Sequence, residues 1–283
     1  MKNNNYSYCG KIGIFGKTNV GKSSIFNKII GNKISIISNK KGTTEKNILG
    51  IQTIQNYQLI YIDTPGMQFN KQFQYIKNNI LKVKKYLSLI LFIIEKTHWS
   101  TLDEEILNSI TKNSIPIILV INKIDCITNK KIILPFIKKI NLKHQFMEIV
   151  PVSAQTGENI DILINIIQKN IPKDTHQFLK QDQTNISNNF MITEIIREKF
   201  LNNLNQELPY LIKIKIKECF IDKNGVYNIY ASIFVKNIRH KKIIIGSKGK
   251  KIKYCIFLAK KDIQKFLNTK EIILKLKVQQ RSI

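Results

Sequence analysis

The 283-residue chain carries 46 Lys and Arg against 19 Asp and Glu, a formal net charge of +27, and 43% of its residues are hydrophobic. That length suits two ordinary domains, each with its own core, and the apolar fraction is that of a globular protein. The polar start Met1-Lys-Asn-Asn-Asn-Tyr6 does not read as a secretory signal, and the apolar run Leu87–Ile94 is far too short to span a bilayer, so a cytoplasmic chain is expected. Cys9, Cys126, Cys219 and Cys255 show no C-x-x-C spacing and the four histidines form no cluster, which argues against a disulfide framework and a Cys/His metal site.

Ile12–Phe15 predicts a short buried strand, followed by a glycine-bearing turn and a helix whose Ile25, Phe26, Ile29 and Ile30 share one side. The turn, Gly16-Lys17-Thr18-Asn19-Val20-Gly21-Lys22-Ser23, fits the pattern G-x-x-x-x-G-K-[ST]. In that pattern the glycines let the backbone approach a phosphate with no Cβ in the way, and the loop N–H groups and helix N-terminus cradle the anion. Lys22 can reach the β- and γ-phosphates, and Ser23 can offer its hydroxyl to Mg²⁺. The polar stretch Ser35–Glu45 reads as a mobile loop holding Gly42-Thr43-Thr44. A threonine there can complete a Mg²⁺ shell; Thr44 is favoured, with Thr43 the alternative. Lys46–Gln55 and Tyr57–Asp63 read as strands, the second stopped by Asp63-Thr64-Pro65-Gly66. Asp63 can hold Mg²⁺ through water, and the Gly66 N–H can meet the γ-phosphate.

Phe73–Tyr86 predicts a helix, Leu87–Ile94 a buried strand, and Thr101–Lys112 a helix opened by a capping box read from Thr101-Leu-Asp-Glu104. Pro116–Ile121 is another buried strand and ends in Asn122-Lys123-Ile124-Asp125. A carboxylate at Asp125 can accept from guanine N1–H and the exocyclic amine, a donor pair that adenine lacks, and the wrong base leaves that charge unpaired. Lys123 would pack its stem along the base. A helix near Lys130–Ile140, a strand near Phe146–Val152 and a helix over Asn159–Asn170 follow, with Ser153-Ala154 supporting the base from the strand end. Strands apolar along their whole length, alternating with helices, predict a mostly parallel sheet covered on both faces. Ligands sit at the carboxyl ends of such strands, where all of these motifs fall.

From Pro172 to Asn189 the sequence turns polar and reads as a linker. Beyond it, Ile192–Leu204 predicts a helix, and Leu211–Ile221 and Val226–Lys236 predict two strands joined by the hairpin turn Asp222-Lys-Asn-Gly225. Ile243-Ile244-Ile245 leads into Gly246-Ser247-Lys248-Gly249, then a helix from Lys250 to Leu267 and a last strand over Glu271–Val278. Within this α-β-β-α-α-β order, G-x-x-G fits the loop of a KH domain, which clamps a nucleic-acid backbone where a side chain would clash. Lys248, Lys250, Lys251 and Lys253 surround it. Residues 184–283 hold 21 Lys and Arg against seven Asp and Glu, so about a third of the chain carries half of the charge. Such a surface favours polyanions, RNA or an anionic membrane among them.

On Gly16–Ser23, Gly42-Thr43-Thr44, Asp63–Gly66, Asn122–Asp125, Val152–Gly157 and Ile243–Lys253, the chain resembles the Era family of bacterial GTPases over nearly its whole length. The resemblance implies an α/β P-loop GTPase domain with a mostly parallel sheet over residues 1–171, a linker over 172–190, and a smaller α+β type II KH domain over 191–283. It implies slow GTP hydrolysis, GTP and GDP as ligands, and 16S rRNA and the 30S subunit as partners in small-subunit assembly. It also implies a cytoplasmic monomer with peripheral attachment to the inner face of the membrane. GTP contacts are expected from Gly16 to Ser23, from Asp63, Thr64, Pro65, Gly66 and Met67, from Asn122, Lys123, Ile124 and Asp125, and from Ser153 and Ala154. Mg²⁺ falls to Ser23, Thr44 and Asp63, and hydrolysis to Lys22, Thr44 and Asn19, the last through a coordinated K⁺. RNA contacts fall to Gly246, Ser247, Lys248, Gly249, Lys250, Lys251 and Lys253.

The chain departs from the family at Thr18, where proline is usual, at Glu45, where arginine is usual, and at Leu274-Lys275-Leu276, where an aromatic is common. Met67, not glutamine, follows Gly66, so no side chain to orient the attacking water is visible. Two rival readings are the G domain of a membrane transport system and an RNA-binding protein with a degenerate nucleotide site. The first lacks transmembrane segments, and the second is opposed by intact Lys22, Ser23, Asp63 and Asp125.

Overall fold

The computed structural model describes residues 6–32, 34–35, 48–66, 86–111, 115–204 and 212–280. Gly42, Thr43, Thr44, Glu45 and Met67 lie outside the described residues, as does the helix expected over Phe73–Tyr86, apart from Tyr86. The chain divides between Asn185 and Ile186 into two compact units.

The first unit runs β1 (Tyr8–Phe15), α1 (Lys22–Ile30), β2 (Ile48–Ile54), β3 (Tyr57–Asp63), β4 (Leu89–Glu95), α2 (Thr101–Ile110), β5 (Ile117–Asn122), α3 (Ile133–Lys143), β6 (Glu148–Pro151) and α4 (Ile160–Lys169). Its six strands lie in the order β2-β3-β1-β4-β5-β6. Only β2 runs against its neighbour; β3, β1, β4, β5 and β6 pair in parallel. β4 and β5 are buried on both faces, which is why Leu89–Ile94 and Ile117–Ile121 are apolar at every position. α1 buries Ile25, Phe26, Ile29 and Ile30, and α4 buries Ile160, Leu163 and Ile167, one stripe of each helix against the sheet.

Two local expectations are corrected. The box that opens α2 is centred on Ser100, one residue before the expected cap, because Ser100 has the extended backbone a cap requires. Its hydroxyl accepts from the Asp103 N–H, and Asp103 Oδ2 accepts from the Ser100 N–H at 2.8 Å. The stretch expected to be a linker over 172–190 is hydrogen-bonded to the first unit as far as Thr184, and the next helix begins within it, at Asn188. Gln58, fully buried in β3, accepts from the N–H groups of Gln177 (2.7 Å) and Phe178 (2.9 Å) and donates to the Phe178 carbonyl (2.9 Å). The Cys9 N–H donates to Pro172 O and the Ile51 N–H to Gln183 O, so this strap crosses from β1 to β2.

The second unit runs α5 (Asn188–Asn203), β7 (Lys213–Ile221), β8 (Tyr227–Val235), α6 (Ile238–Ile245), α7 (Lys250–Leu267) and β9 (Ile272–Gln280). β8 is the middle strand, antiparallel to β7 and parallel to β9. The hairpin turn forms where expected: Gly225 takes φ +77°, and Asp222 Oδ1 accepts from the N–H groups of Asn224 and Val226. One face of the sheet, with Ile229, Ala231, Ile233 and Val235 along β8, packs with Ile192, Ile196, Phe200, Ile244, Cys255, Ala259 and Ile263 of the helices. The element order is that of a type II KH domain.

Candidate functional site

The loop from Gly16 to Gly21 joins β1 to α1 and is fixed by contacts from three other elements. Gly21 has φ +96°, and a Cβ there would fall 2.1 Å from Asn122 Nδ2, so only glycine fits. Asn122, at the end of β5, donates from that nitrogen to the Val20 carbonyl (2.8 Å) and accepts the Ala154 N–H at Oδ1 (3.1 Å). It therefore ties the phosphate-loop motif to the Ser153-Ala154 turn. α1 has no side-chain N-cap, which leaves its first-turn N–H groups available to an anion.

Lys22 opens α1 and is 6% exposed, its ammonium donating to the Lys17 carbonyl at 2.6 Å. Burial lowers its pKa to about 8, against the opposing pull of the Asp63 carboxylate. Ser23 Oγ donates to Asp63 Oδ2 at 2.8 Å. Thr64 Oγ1 donates to the Ile14 carbonyl at 2.6 Å and anchors the turn after β3 to β1. A Cβ on Gly66 would lie 2.8 Å from both Lys22 Nζ and Thr18 Cα, so this turn closes directly over the loop. Lys22, Ser23, Asp63 and Gly66 thus converge as the sequence led one to expect. The side chain of Lys17 is turned elsewhere: it pairs with the buried Asp103 carboxylate (2.8 Å) and donates to Ser100 Oγ (3.0 Å).

At the end of β5, Lys123 takes φ +63° and donates to the Asn19 carbonyl (2.8 Å) while pairing with Glu95 (3.1 Å), which lays its stem beside the loop. Asp125 is exposed. Ser153 Oγ donates to its Oδ1 (2.6 Å) and the Cys126 thiol to its Oδ2 (3.2 Å), and these bonds hold the carboxyl below its usual pKa. An ionised, oriented carboxylate facing solvent beside a lysine stem can accept two parallel N–H donors of a planar base. Ser153 is itself buried and accepts the Thr156 N–H at 3.1 Å. The side chains of Ile124 and Val20 are buried in the core, so only their backbone can serve the site.

In the second unit, Gly246-Ser247-Lys248-Gly249 is a tight turn between α6 and α7 with positive φ at Gly246, Lys248 and Gly249. Gly246 is hemmed in, with a Cβ placed 2.7 Å from Lys251 Cβ; at Gly249 a Cβ would meet nothing within 4 Å. The turn is closed by the Gly249 N–H donating to the Gly246 carbonyl. Ser247, Lys248, Lys250 and Lys253 are exposed around it, and Lys251 is half-buried.

Four residues outside the motifs shape the nucleotide side. Ser35, fully buried, donates to the same Asp63 oxygen as Ser23 (2.8 Å). Asn27 holds it there, accepting from the Ile34 and Ser35 N–H groups. No spacing rule points to Ser35. Asp103 holds Lys17 and Glu95 pairs with Lys123, and the sequence reading assigned a role at the site to neither.

Residues 11–123 match the family model described as 50S ribosome-binding GTPase. GTPase Era of Buchnera aphidicola subsp. Baizongia pistaciae is 48% identical over 282 residues, 96% of each chain. GTPase Era of Buchnera aphidicola subsp. Acyrthosiphon pisum is 46% identical over 261 residues, 91% of this chain and 92% of that one. A crystal structure of Era in complex with MgGDPNP and nucleotides 1506–1542 of 16S ribosomal RNA superposes with a TM-score of 0.91 at 35% identity, covering 98% of this chain and 94% of the other. An Aquifex aeolicus Era variant bound to GDP·AlF₄⁻ also superposes with a TM-score of 0.91. The six-stranded fold and its loop define a P-loop GTPase. The chain belongs to the Era family of GTPases, which it matches across both units.

Proposed function

We propose that this GTPase binds GTP in the loop from Gly16 to Ser23, reads guanine with Asp125, and binds 16S rRNA with its second unit in assembly of the 30S subunit. The observation that carries the nucleotide reading is Asn122, whose two hydrogen bonds join the phosphate loop at Val20 to the base-side turn at Ala154. Phosphate and base recognition then form one rigid body. The Lys22 ammonium, the N–H groups of the loop and the α1 N-terminus bind the phosphates, and Lys123 and Ser153 flank the base. Ser23 Oγ and Asp63 Oδ2, 2.8 Å apart, are hard oxygen donors that fit Mg²⁺. When bound, that ion neutralises charge on the phosphates. The Era relative crystallised with MgGDPNP and a 16S rRNA segment supports the ligand and the RNA partner.

The finer parts of the reading are K⁺ near Asn19, a monomer, and peripheral attachment to the inner membrane face. Asn19 lies in the loop at φ +66°, and Met67 offers no water-orienting amide, which leaves room for a monovalent cation to assist. GTP turnover should be faster in K⁺ than in Na⁺ at equal ionic strength and lose that difference in Asn19→Ala. For attachment, +27 supplies attraction to anionic lipid, and among the described residues no helix is long and apolar enough to cross a membrane.

Titration of wild type and Asp125→Asn with GTP, ATP and XTP tests the base assignment. The variant should lose GTP by two orders of magnitude or so and gain XTP, whose C2 oxygen accepts from the new amide. Equal wild-type affinity for GTP and ATP would refute it.

A further inference from the structure

Among the described residues, the helices of the second unit pack on one face of its sheet, and on the other Asn228 and Ser232 are covered while Lys215, Glu218, Phe220, Lys275 and Lys277 are exposed. On β8, residues facing away from the core alternate with Ile229, Ala231 and Ile233, and Tyr230 is one of them. β7 brings Phe220 beside it: the two rings are nearly parallel, 15° apart in tilt, with centroids 6.3 Å apart. Phe220 is 47% exposed. On the far side, β9 pairs Lys275 with Tyr230 in register, and the Lys275 ammonium lies 5.3 Å from the Tyr230 ring centre. The next rung pairs Lys215 of β7 with Ser232 and Lys277 of β9 with the same residue, both lysines exposed. Glu218, the one carboxylate in the three strands, is exposed and is the β7 residue paired with Tyr230, while Phe220 lies opposite Asn228, so one negative charge stands among Lys215, Lys275 and Lys277.

Aromatic faces on a sheet, flanked by cations, do not suit a protein partner, since interface centres are depleted of lysine. They suit unpaired bases. A base has a π-face to lay on a ring and a phosphate for the neighbouring ammonium, whereas a duplex presents its bases already stacked. We propose that this face is a second platform for single-stranded RNA, with bases stacking on Phe220 and Tyr230 and phosphates held by Lys215, Lys275 and Lys277. It is separate from the Gly246–Gly249 turn, which belongs to the helical side of the unit. The inference rests on the reading of this unit as RNA-binding and adds a site to it.

The test uses the full chain, single-stranded RNA with the sequence of the 16S 3′ end, and the same RNA substituted with 4-thiouridine. Phe220→Ala/Tyr230→Ala should weaken binding by tenfold or more, from the loss of one or two stacked bases. Tyr230→Phe, which keeps the ring, should bind within about twofold of wild type, and GTP affinity and the melting curve report that each variant is folded. Light-induced crosslinks in the wild type should map to Phe220 or Tyr230. If the double variant binds normally and no crosslink maps to β7 or β8 while Gly249→Asp abolishes binding, the platform is overturned and the turn remains the RNA site. If the double variant loses binding and Gly249→Asp does not, the platform stands and the turn reading falls. Loss of binding to anionic phospholipid vesicles in the double variant, with RNA affinity unchanged, assigns the face to a membrane surface and overturns the proposal.

Discussion

Lys22 holds a positive charge where the protein surrounds it with little solvent, and its pKa of about 8 lies well below that of an ordinary lysine, near 10.4. Between those two values the unfolded chain binds more protons than the folded one, so stability of the nucleotide-free protein rises with pH across that window and this group adds no slope below it. Phosphate oxygens beside the ammonium reverse the balance by favouring the charged form. Binding GTP above about pH 8 must therefore take up a proton, and affinity should fall as pH rises from about 8 to 9.5. Calorimetry in two buffers of different ionisation enthalpy measures the uptake; Lys22→Ala should abolish both the uptake and the pH dependence. An affinity level across that range would remove Lys22 as the phosphate cation. Lys22, Ser23 and Asp125 were legible in the sequence because a short spacing puts each on a turn at a strand end. Ser35 and Asn27 were not, since their meeting depends on how the chain folds back after α1, and no periodicity records that.

Among the elements, the strap over 172–185 shows most clearly what a sequence conceals. Its polar composition reads as a linker, and its hydrogen bonds go to backbone and to the side chains of Ser7, Asn32 and Gln58, the last fully buried in β3. Alternation and helical period report apolar faces, so they recovered the strands of both sheets and most of the described helices to within a few residues, but not the bounds of α6 over Ile238–Ile245. They carry no signal for a segment that is held by hydrogen bonds and not by an apolar face. Gln58→Ala would leave the Gln177 and Phe178 N–H groups without their acceptor and a hole where the buried Gln58 side chain lay, a loss of roughly 2–4 kcal/mol in stability. The expected result is a lower urea midpoint and faster tryptic cleavage after Lys180, which lies within the strap. Gln58→Glu keeps the acceptor oxygens but faces one of them toward the Phe178 carbonyl, and should fall between the two. Unchanged cleavage in Gln58→Ala would mean that the strap is fixed by its backbone contacts to β1 and β2 instead.

For the molecule as a whole, half of a +27 charge sits on the second unit, and the question is whether RNA binding is built or merely electrostatic. Gly249 separates the two. Its φ of +73° is tolerated by aspartate better than by most side chains, and a Cβ there meets no protein atom within 4 Å, so Gly249→Asp should fold. Gly246 could not serve, because a side chain there would collide with Lys251. The new carboxylate would stand in the space through which an RNA backbone must approach the turn. Gly249→Asp is expected to remove binding to RNA of the 16S 3′ end and to leave GTP affinity at the wild-type value, since Asp125 and Lys22 lie in the other compact unit. Lys270→Asp, which makes a larger change of charge on an exposed residue outside the turn, should weaken RNA of any sequence modestly and flatten its salt dependence by roughly one to two counterions. Fluorescence anisotropy with the 16S sequence and a scrambled control distinguishes the cases. If the two variants lose the same affinity, and the scrambled RNA binds as well as the native one, charge alone carries the binding and the turn has no special part in it.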